Sequence, residues 1–348
     1  IMKKILVCGG AGFIGFHASK RYLTEGCQVH VLDNLSRNGA RANFLTLLES
    51  AKSLPGKFRF HHVDIRIAHD VSAVVKAVQP DLVVHEAAQV AVTTSVVNPR
   101  LDFEINALGT FNVLEAVREL SPEAFFVFAS TNKVYGGMED VAVVEEERRY
   151  RYKDYPEGLD ELRTLDFHSP YACSKGAADQ YVHDYSRIFG LRTAVFRQSC
   201  IYGTNQFGVE DQGWIAWFTI ARVLGQPVTI YGTGKQVRDI LWVEDLVEAY
   251  DCAWKQNKVG AVYNMGGGAD NTLSLLELVE LLDDLHPTDL KLEFGDVRPG
   301  DQPVYIANAN KAREELGWKP QVDPAQGVEK LYRWIVENKN VVAEVLSQ

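Results

Sequence analysis

The chain has 348 residues, room for about two domains at roughly 150 residues each, or for one large α/β unit with an appended lobe. Hydrophobic residues make up 46% and charged residues 24%, a globular composition that excludes a disordered or fibrous chain. With 36 Lys+Arg against 46 Asp+Glu the net charge is −10, which disfavours nucleic acid and anionic membranes but allows an anionic small substrate in a local basic pocket.

The first half alternates apolar strands with helical patterns. Lys3–Cys8, Gln28–Asp33, Phe58–Asp64, Asp81–Ala87, Ala124–Ala129 and Arg192–Arg197 read as strands. Phe13–Glu25, Val71–Val78, Phe103–Leu120 and Tyr171–Phe189 read as helices. This alternation predicts a parallel sheet covered on both faces. The segment from about Gly136 to Ser169 is a long connection, and its charged stretch Glu145–Asp154 reads as a solvated surface loop. Beyond Arg197 turn residues are dense. Ala261–Gly268 reads as a strand returning to the sheet, and the last 80 or so residues carry three helical patterns broken by Val297–Pro303 and Pro320. The expected fold is α/β: a Rossmann-type doubly wound parallel sheet over 1–197 plus 240–268, with a smaller discontinuous α/β lobe over 198–239 and 269–348.

The five cysteines are scattered and never form C-x-x-C, so a disulfide framework or zinc site is not expected. His61 and His62 are adjacent, and successive strand residues point to opposite faces, a poor chelate. There is no apolar run of about 18 residues and no signal-peptide pattern. A cytoplasmic protein is the expectation.

The chemistry begins at Gly9-x-x-Gly12-x-x-Gly15, between a strand and a helix. The first glycines let backbone approach a pyrophosphate, Gly15 lets helix and sheet pack closely, and the helix N-terminus offers amide donors. Glycines alone are equally compatible with a bare turn; the strand-to-helix placement favours the phosphate reading. Asp33 ends the second strand, where a carboxylate accepts from adenosine ribose hydroxyls and repels a 2′-phosphate, favouring NAD over NADP; Arg37 nearby argues the other way. Asp64 and Ile65 end the third strand, either flanking adenine or, for Asp64, capping the next turn. Tyr171 and Lys175 are four apart and share a helix face. An ammonium beside a phenol favours phenolate, a competent base for a sugar hydroxyl. Ser130-Thr131 ends the preceding strand, and Thr131 is suited to bond the same substrate oxygen.

Together with His85-Glu86-Ala87-Ala88, Asn106-Ala107-Leu108-Gly109-Thr110 and Arg238-Asp239, these motifs resemble the extended short-chain dehydrogenases/reductases of the nucleotide-sugar-modifying branch, from Lys3 to about Trp334. Longer strings (Asp102–Asn106, Ser130–Gly136, Leu165–Tyr171, Asp211–Trp214) are similar to its CDP-hexose 2-epimerases. The resemblance implies that Gly9, Gly12, Phe13, Ile14 and Gly15 hold the NAD pyrophosphate. Asp33, Asn34, Ser36 and Arg37 would surround the adenosine ribose, and Asp64 and Ile65 adenine. Ala87, Ala88 and Gln89 would line the cofactor cleft, with Asn106 supporting the nicotinamide half. Tyr171 would be the base, Lys175 would bind the nicotinamide ribose and tune Tyr171, and Thr131 would position the sugar. Arg238, Arg298 and Asp301 match the clamp for a nucleotide diphosphate sugar, with a CDP-hexose expected; an arginine fork suits a diphosphate and a carboxylate suits ribose hydroxyls. Surface ion pairing is the alternative for each arginine.

Sugar 4,6-dehydratases of this superfamily carry Asp-Glu directly after the catalytic Thr. Here Asn132 and Lys133 stand there, and they cannot do that carboxyl chemistry. The expected reaction is C2 epimerisation through a transient 2-ketosugar. Alternatives are 4-epimerisation, another nucleotide sugar, simple reduction, or a non-catalytic NAD-sensing protein on the same fold. Trp214 and Trp217 suit either core packing or a base-stacking wall. His168 is either a lid residue or a surface histidine. A homodimer or homotetramer built on the helices Phe103–Leu120 and Tyr171–Phe189 follows by resemblance only.

Overall fold

Most apolar runs of the first half become buried strands covered by helices, while Lys57–His62, at the sheet edge, stays partly exposed. In the computed structural model, which describes residues 2–297 and 301–347, β1 (Lys4–Cys8), β2 (Gln28–Asp33), β3 (Lys57–His62), β4 (Leu82–His85) and β5 (Phe125–Thr131) join strands Arg192–Gln198 and Ala261–Met265 in a seven-stranded sheet. The strand order is Ala261–Met265, Arg192–Gln198, β5, β4, β1, β2, β3. β1 runs parallel to both neighbours, with Ile5 opposite Val29 on β2 and Leu82 on β4. The order reverses at β1 and β4, so the crevice beyond their carboxyl ends is where an α/β sheet binds ligands. This is the Rossmann-type α/β fold expected from the alternating pattern.

Helices α1 (Phe13–Thr24), α2 (Ala40–Ser50) and α3 (Ala68–Val78) link the first strands, and helices Gly109–Leu120 and Pro170–Phe189 flank β5 in the chain. Leu6, Val83, Phe126, Phe128, Val113 and Val182 belong to one buried cluster joining sheet to helices. α2 escaped the sequence reading because only Ala40, Asn43 and Leu47 are buried while Leu45 and Leu48 face solvent, which blurs the 3.6-residue period. The helix expected over Phe103–Leu120 is interrupted. An α-turn Pro99–Phe103, capped by Asn98, passes into a π-helical turn Glu104–Leu108 before helix Gly109–Leu120.

The chain divides into two compact units. The first is 1–134, 167–197 and 247–263; the second is 135–166, 198–246 and 264–348. Residues 135–166 thus group with the second unit, and 247–263 with the first. The second unit has its own core, including Phe218, Ile220, Ile240, Leu278, Leu282 and Leu331. Trp214 and Trp217 pack against its margin, with Trp214 edge-on to Phe218.

Glu145–Asp154 is not merely a solvated loop. Val143–Glu145 and Tyr150–Tyr152 form an antiparallel hairpin, Tyr152 is buried with its hydroxyl on the Val304 carbonyl (3.0 Å), and Arg149 forks Glu277 at 2.7 and 2.6 Å. Its charge density reflects ion pairing within the fold. The adjacent histidines diverge as strand geometry requires: His61 bonds His30 on β2 (2.8 Å), and His62 meets the Asn34 carbonyl.

Two glycines are fixed by close approach. Gly9 has φ +79°, and a Cβ on it would lie 2.5 Å from the Ala87 nitrogen; a Cβ on Gly15 would lie 2.1 Å from the Gly9 carbonyl oxygen. Gly15→Ala must therefore push α1 off the loop. A loss of roughly 1–3 kcal/mol, the usual cost of overpacking, is expected as a lowered thermal midpoint; an unchanged midpoint would show that the helix slides freely.

Candidate active site

At the end of β1 the Cys8 carbonyl accepts from both Glu86 and Ala87 amides (2.9 Å each), which fixes the glycine loop against the end of β4. Gly12 is the N-cap of α1, provides no side-chain cap, and no acidic residue occupies the first turn. The loop therefore presents the amides of Phe13 and Ile14 uncapped at the positive end of a 12-residue helix, a fit for a diphosphate.

Asp33 accepts from the Ala11 amide (3.0 Å) through one oxygen and from Leu35 (2.8 Å) through the other, tying loop to strand end. Burial holds its carboxyl above the usual range, and the two amides oppose that rise. Asn34 reaches Asp64 (3.1 Å), and Arg66 forks the same carboxylate, holding its pKa down to about 2. Ile65 is buried, while Ser36 and Arg37 are exposed beyond β2. The expected adenosine set thus clusters around the ends of β2 and β3.

Helix Pro170–Phe189 begins abruptly. Ser169 has φ 101°, unusual for a non-glycine residue, and its hydroxyl caps the Ala172 amide. Tyr171 follows at once, buried, and its hydroxyl shares a hydrogen bond with Thr131 at the end of β5. Burial pushes the phenol up to about 12; Asp102 adds to the rise, while Thr131 and Arg37 oppose it. Lys175, one turn on, donates to the Ala129 carbonyl (2.5 Å) and lies over the Phe128 ring. The expected lowering of the phenol by this ammonium gives way to burial, because Lys175 is turned toward the strand backbone. Burial lowers Lys175 itself to about 8, against the pull of Glu86, Asp179 and Asp102. Glu86 is raised to about 7 by burial and accepts from the Tyr250 hydroxyl (2.6 Å).

Gln89 and Asn106, expected along the cofactor cleft, bond each other twice at 2.9 Å, and Ala88 lies half-buried beside Gln89. Both also bond Asp102, as does Ser174. Asp102, Ser174 and Ser95, whose hydroxyl holds the Tyr171 amide at 3.1 Å, had no role in the sequence reading. The available signal was spacing: Asp102 precedes Asn106 by four residues.

In the second unit, Arg238 pairs with Asp301 at 2.9 Å, and the Gln236 amide reaches the other carboxylate oxygen at 3.4 Å. Asp301 is thus engaged by the arginine of its own proposed clamp. Arg298 lies outside the described residues. His168 is exposed. Among the described residues no cluster of three metal-ligating side chains occurs, and no helix is long and apolar enough to cross a membrane.

The family model described as GDP-mannose 4,6 dehydratase matches residues 6–331. The chain is 46% identical to the CDP-paratose 2-epimerase of Salmonella typhi, over 95% of this chain and 98% of that one. Among solved structures it is similar to the UDP-glucose 4-epimerase of Thermus thermophilus in complex with NAD (31% identity, TM-score 0.79, 95% and 98% covered). It is also similar to the dTDP-glucose 4,6-dehydratase DesIV from Streptomyces venezuelae with NAD and TYD bound (28%, TM-score 0.82, 98% and 99%). Glycine loop, sheet and Thr-Tyr-Lys set thus coincide with a match over nearly the whole length, and the chain belongs to the extended short-chain dehydrogenase/reductase family of nucleotide-sugar epimerases and dehydratases. It is an enzyme of that family.

The lowered Lys175 gives a stability signature. In the native state its proton leaves near pH 8, in the unfolded chain near 10.5, so the unfolded state holds more protons between these values. Stability should therefore rise with pH across that window. Lys175→Met should remove this rise, read from urea midpoints at pH 7.5, 9 and 10. A variant with the wild-type slope would show that Lys175 is not the group responsible.

Proposed function

We propose that the protein is a C2 epimerase of a CDP-hexose, of the CDP-paratose to CDP-tyvelose type, with NAD as its resident cofactor. When bound, NAD supplies a reversible hydride acceptor beside the sugar. Gly9, Gly12, Phe13, Ile14 and Gly15 hold its diphosphate. Asp33, Asn34, Ser36 and Arg37 hold the adenosine ribose, and a carboxylate at Asp33 disfavours a 2′-phosphate. Asp64 and Ile65 flank adenine; Ala87, Ala88, Gln89, Asn106 and Lys175 take the nicotinamide half.

Tyr171 accepts the proton of the C2 hydroxyl as the carbon is oxidised, and returns it when the sugar is reduced on its other face. Thr131 orients the same oxygen. Arg238, Arg298 and Asp301 hold the nucleotide diphosphate while the hexose turns, so remote binding energy keeps the ketosugar from escaping. The reading extends to a cytoplasmic homodimer or homotetramer.

The observation that carries the reading is the Thr131–Tyr171 hydroxyl pair followed directly by Asn132 and Lys133. Oxidation and reduction need only the pair; elimination of water needs a carboxylic acid and a carboxylate, and neither position has one. The choice of CDP and of C2 draws support from the similarity to the Salmonella typhi enzyme. A non-catalytic sensor has no need of this set.

The purified protein, without added reductant, is expected to convert CDP-paratose to its C2 epimer and to leave UDP-glucose unchanged, as read by proton NMR of the products. Tyr171→Phe should keep its thermal midpoint and lose on the order of 10²–10⁴-fold in turnover. Inversion of UDP-glucose at C4 with CDP-paratose untouched would replace this reading by 4-epimerisation.

A further inference from the structure

One residue that joins three parts of the Tyr171 site has no role in the reading above. Asp102 is 1% exposed. One carboxylate oxygen accepts from Gln89 Nε2 (2.8 Å) and Asn106 Nδ2 (3.1 Å), and the other from Ser174 Oγ (2.5 Å). These partners stand on the segment after β4, on the π-helical turn, and on the helix carrying Tyr171 and Lys175. All three are neutral dipoles, so this buried charge is satisfied by hydrogen bonds rather than by an ion pair.

Ser174 links the carboxylate to the backbone of Tyr171. Ser174 also bonds the Tyr171 carbonyl (3.1 Å), and Asn106 Nδ2 also reaches Ser174 Oγ (3.1 Å). The π-helical turn supplies the placement: starting two residues after Asp102, it adds a residue to the turn and lets Asn106 meet both Gln89 and Ser174. We infer that Asp102 is a positioning residue of the Tyr171 site, whose one carboxylate ties the cofactor-side segment, the π-helical turn and the start of the catalytic helix together and sets the field in which Tyr171 exchanges its proton. The inference rests on Tyr171 being the base.

A buried anion near a phenol opposes phenolate and favours a nearby ammonium. Tyr171 faces Thr131 from β5, Arg37 from beyond β2 and Asp102 from the turn Pro99–Phe103, with Lys175 on its own helix. Lys175 in turn faces Glu86, Asp179 and Asp102. Of the charges acting on Tyr171, Asp102 is the one that makes proton removal harder and Arg37 the one that eases it. Asp102→Asn keeps shape and acceptor capacity toward Gln89 and Asn106, lets its new amide donate to Ser174, and removes only the charge. Ser174→Ala keeps the charge and strips one donor from it, so Tyr171 should feel it more.

The test follows the tyrosine Cζ resonances of the ¹³C-labelled protein as isolated, with the Tyr171 line assigned by its loss in Tyr171→Phe, alongside the pH profile of kcat/KM for CDP-paratose. Asp102→Asn is expected to move the Tyr171 ionisation to lower pH by on the order of one unit, with the acid limb of the profile following. Ser174→Ala should move both the opposite way. A Tyr171 line that titrates as in wild type in the folded variants overturns the inference; if Asp102→Asn does not fold, Ser174→Ala alone decides. Lines that shift while the activity profile stays put would uphold Asp102 and reject Tyr171 as the base, so the two claims fail separately.

Discussion

The site depends on one close approach: backbone of the glycine loop against backbone at the end of β4. The Cys8 carbonyl takes two amides from Glu86 and Ala87, and neither Gly9 nor Gly15 has room for a Cβ. This contact sets where α1 begins, and so aims its uncapped amides into the crevice at the point where strand order reverses. Asp33 then locks the loop to β2 through the Ala11 amide. A side chain at Gly9 would push the loop off the end of β4, and one at Gly15 would push α1 off the loop.

The second constraint is the buried face of helix Pro170–Phe189. Tyr171, Lys175 and Asp179 recur every four residues and meet the end of β5 in turn: Tyr171 at Thr131, Lys175 at the Ala129 carbonyl, Asp179 at Ser130 (2.6 Å). Asp179 is also forked by Arg197 at 2.9 and 3.0 Å, a buried pair whose geometry satisfies both charges. Three polar contacts along one helix face fix its register on the strand. Tyr171 and Lys175 thereby take their positions from the same contacts that hold the helix down.

Much of this was legible in the sequence, for physical reasons. Buried parallel strands leave nearly unbroken apolar runs, and glycines with no room for a Cβ leave a fixed spacing. Tyr171 and Lys175 were legible because a helix brings positions four apart to one face. What escaped had no period of its own. α2 buries too few side chains, and the π-helical turn looks like ordinary helix in sequence. Arg149, inside a charged run, gives no sign that it forks Glu277. The direction in which Lys175 turns depends on a carbonyl 46 residues away. Asp102 was visible only as a letter in a longer string; its role lies in three hydrogen bonds that no local pattern encodes.

The central claim, that oxidation and reduction occur at one sugar carbon, is tested most directly with substrate carrying deuterium at C2. The account predicts that the label reappears at C2 of the product with inverted configuration, undiluted by solvent hydrogen, and that a C4 label keeps its configuration. Washout of the C2 label into water would mean that the carbon loses a proton instead, and would contradict the account.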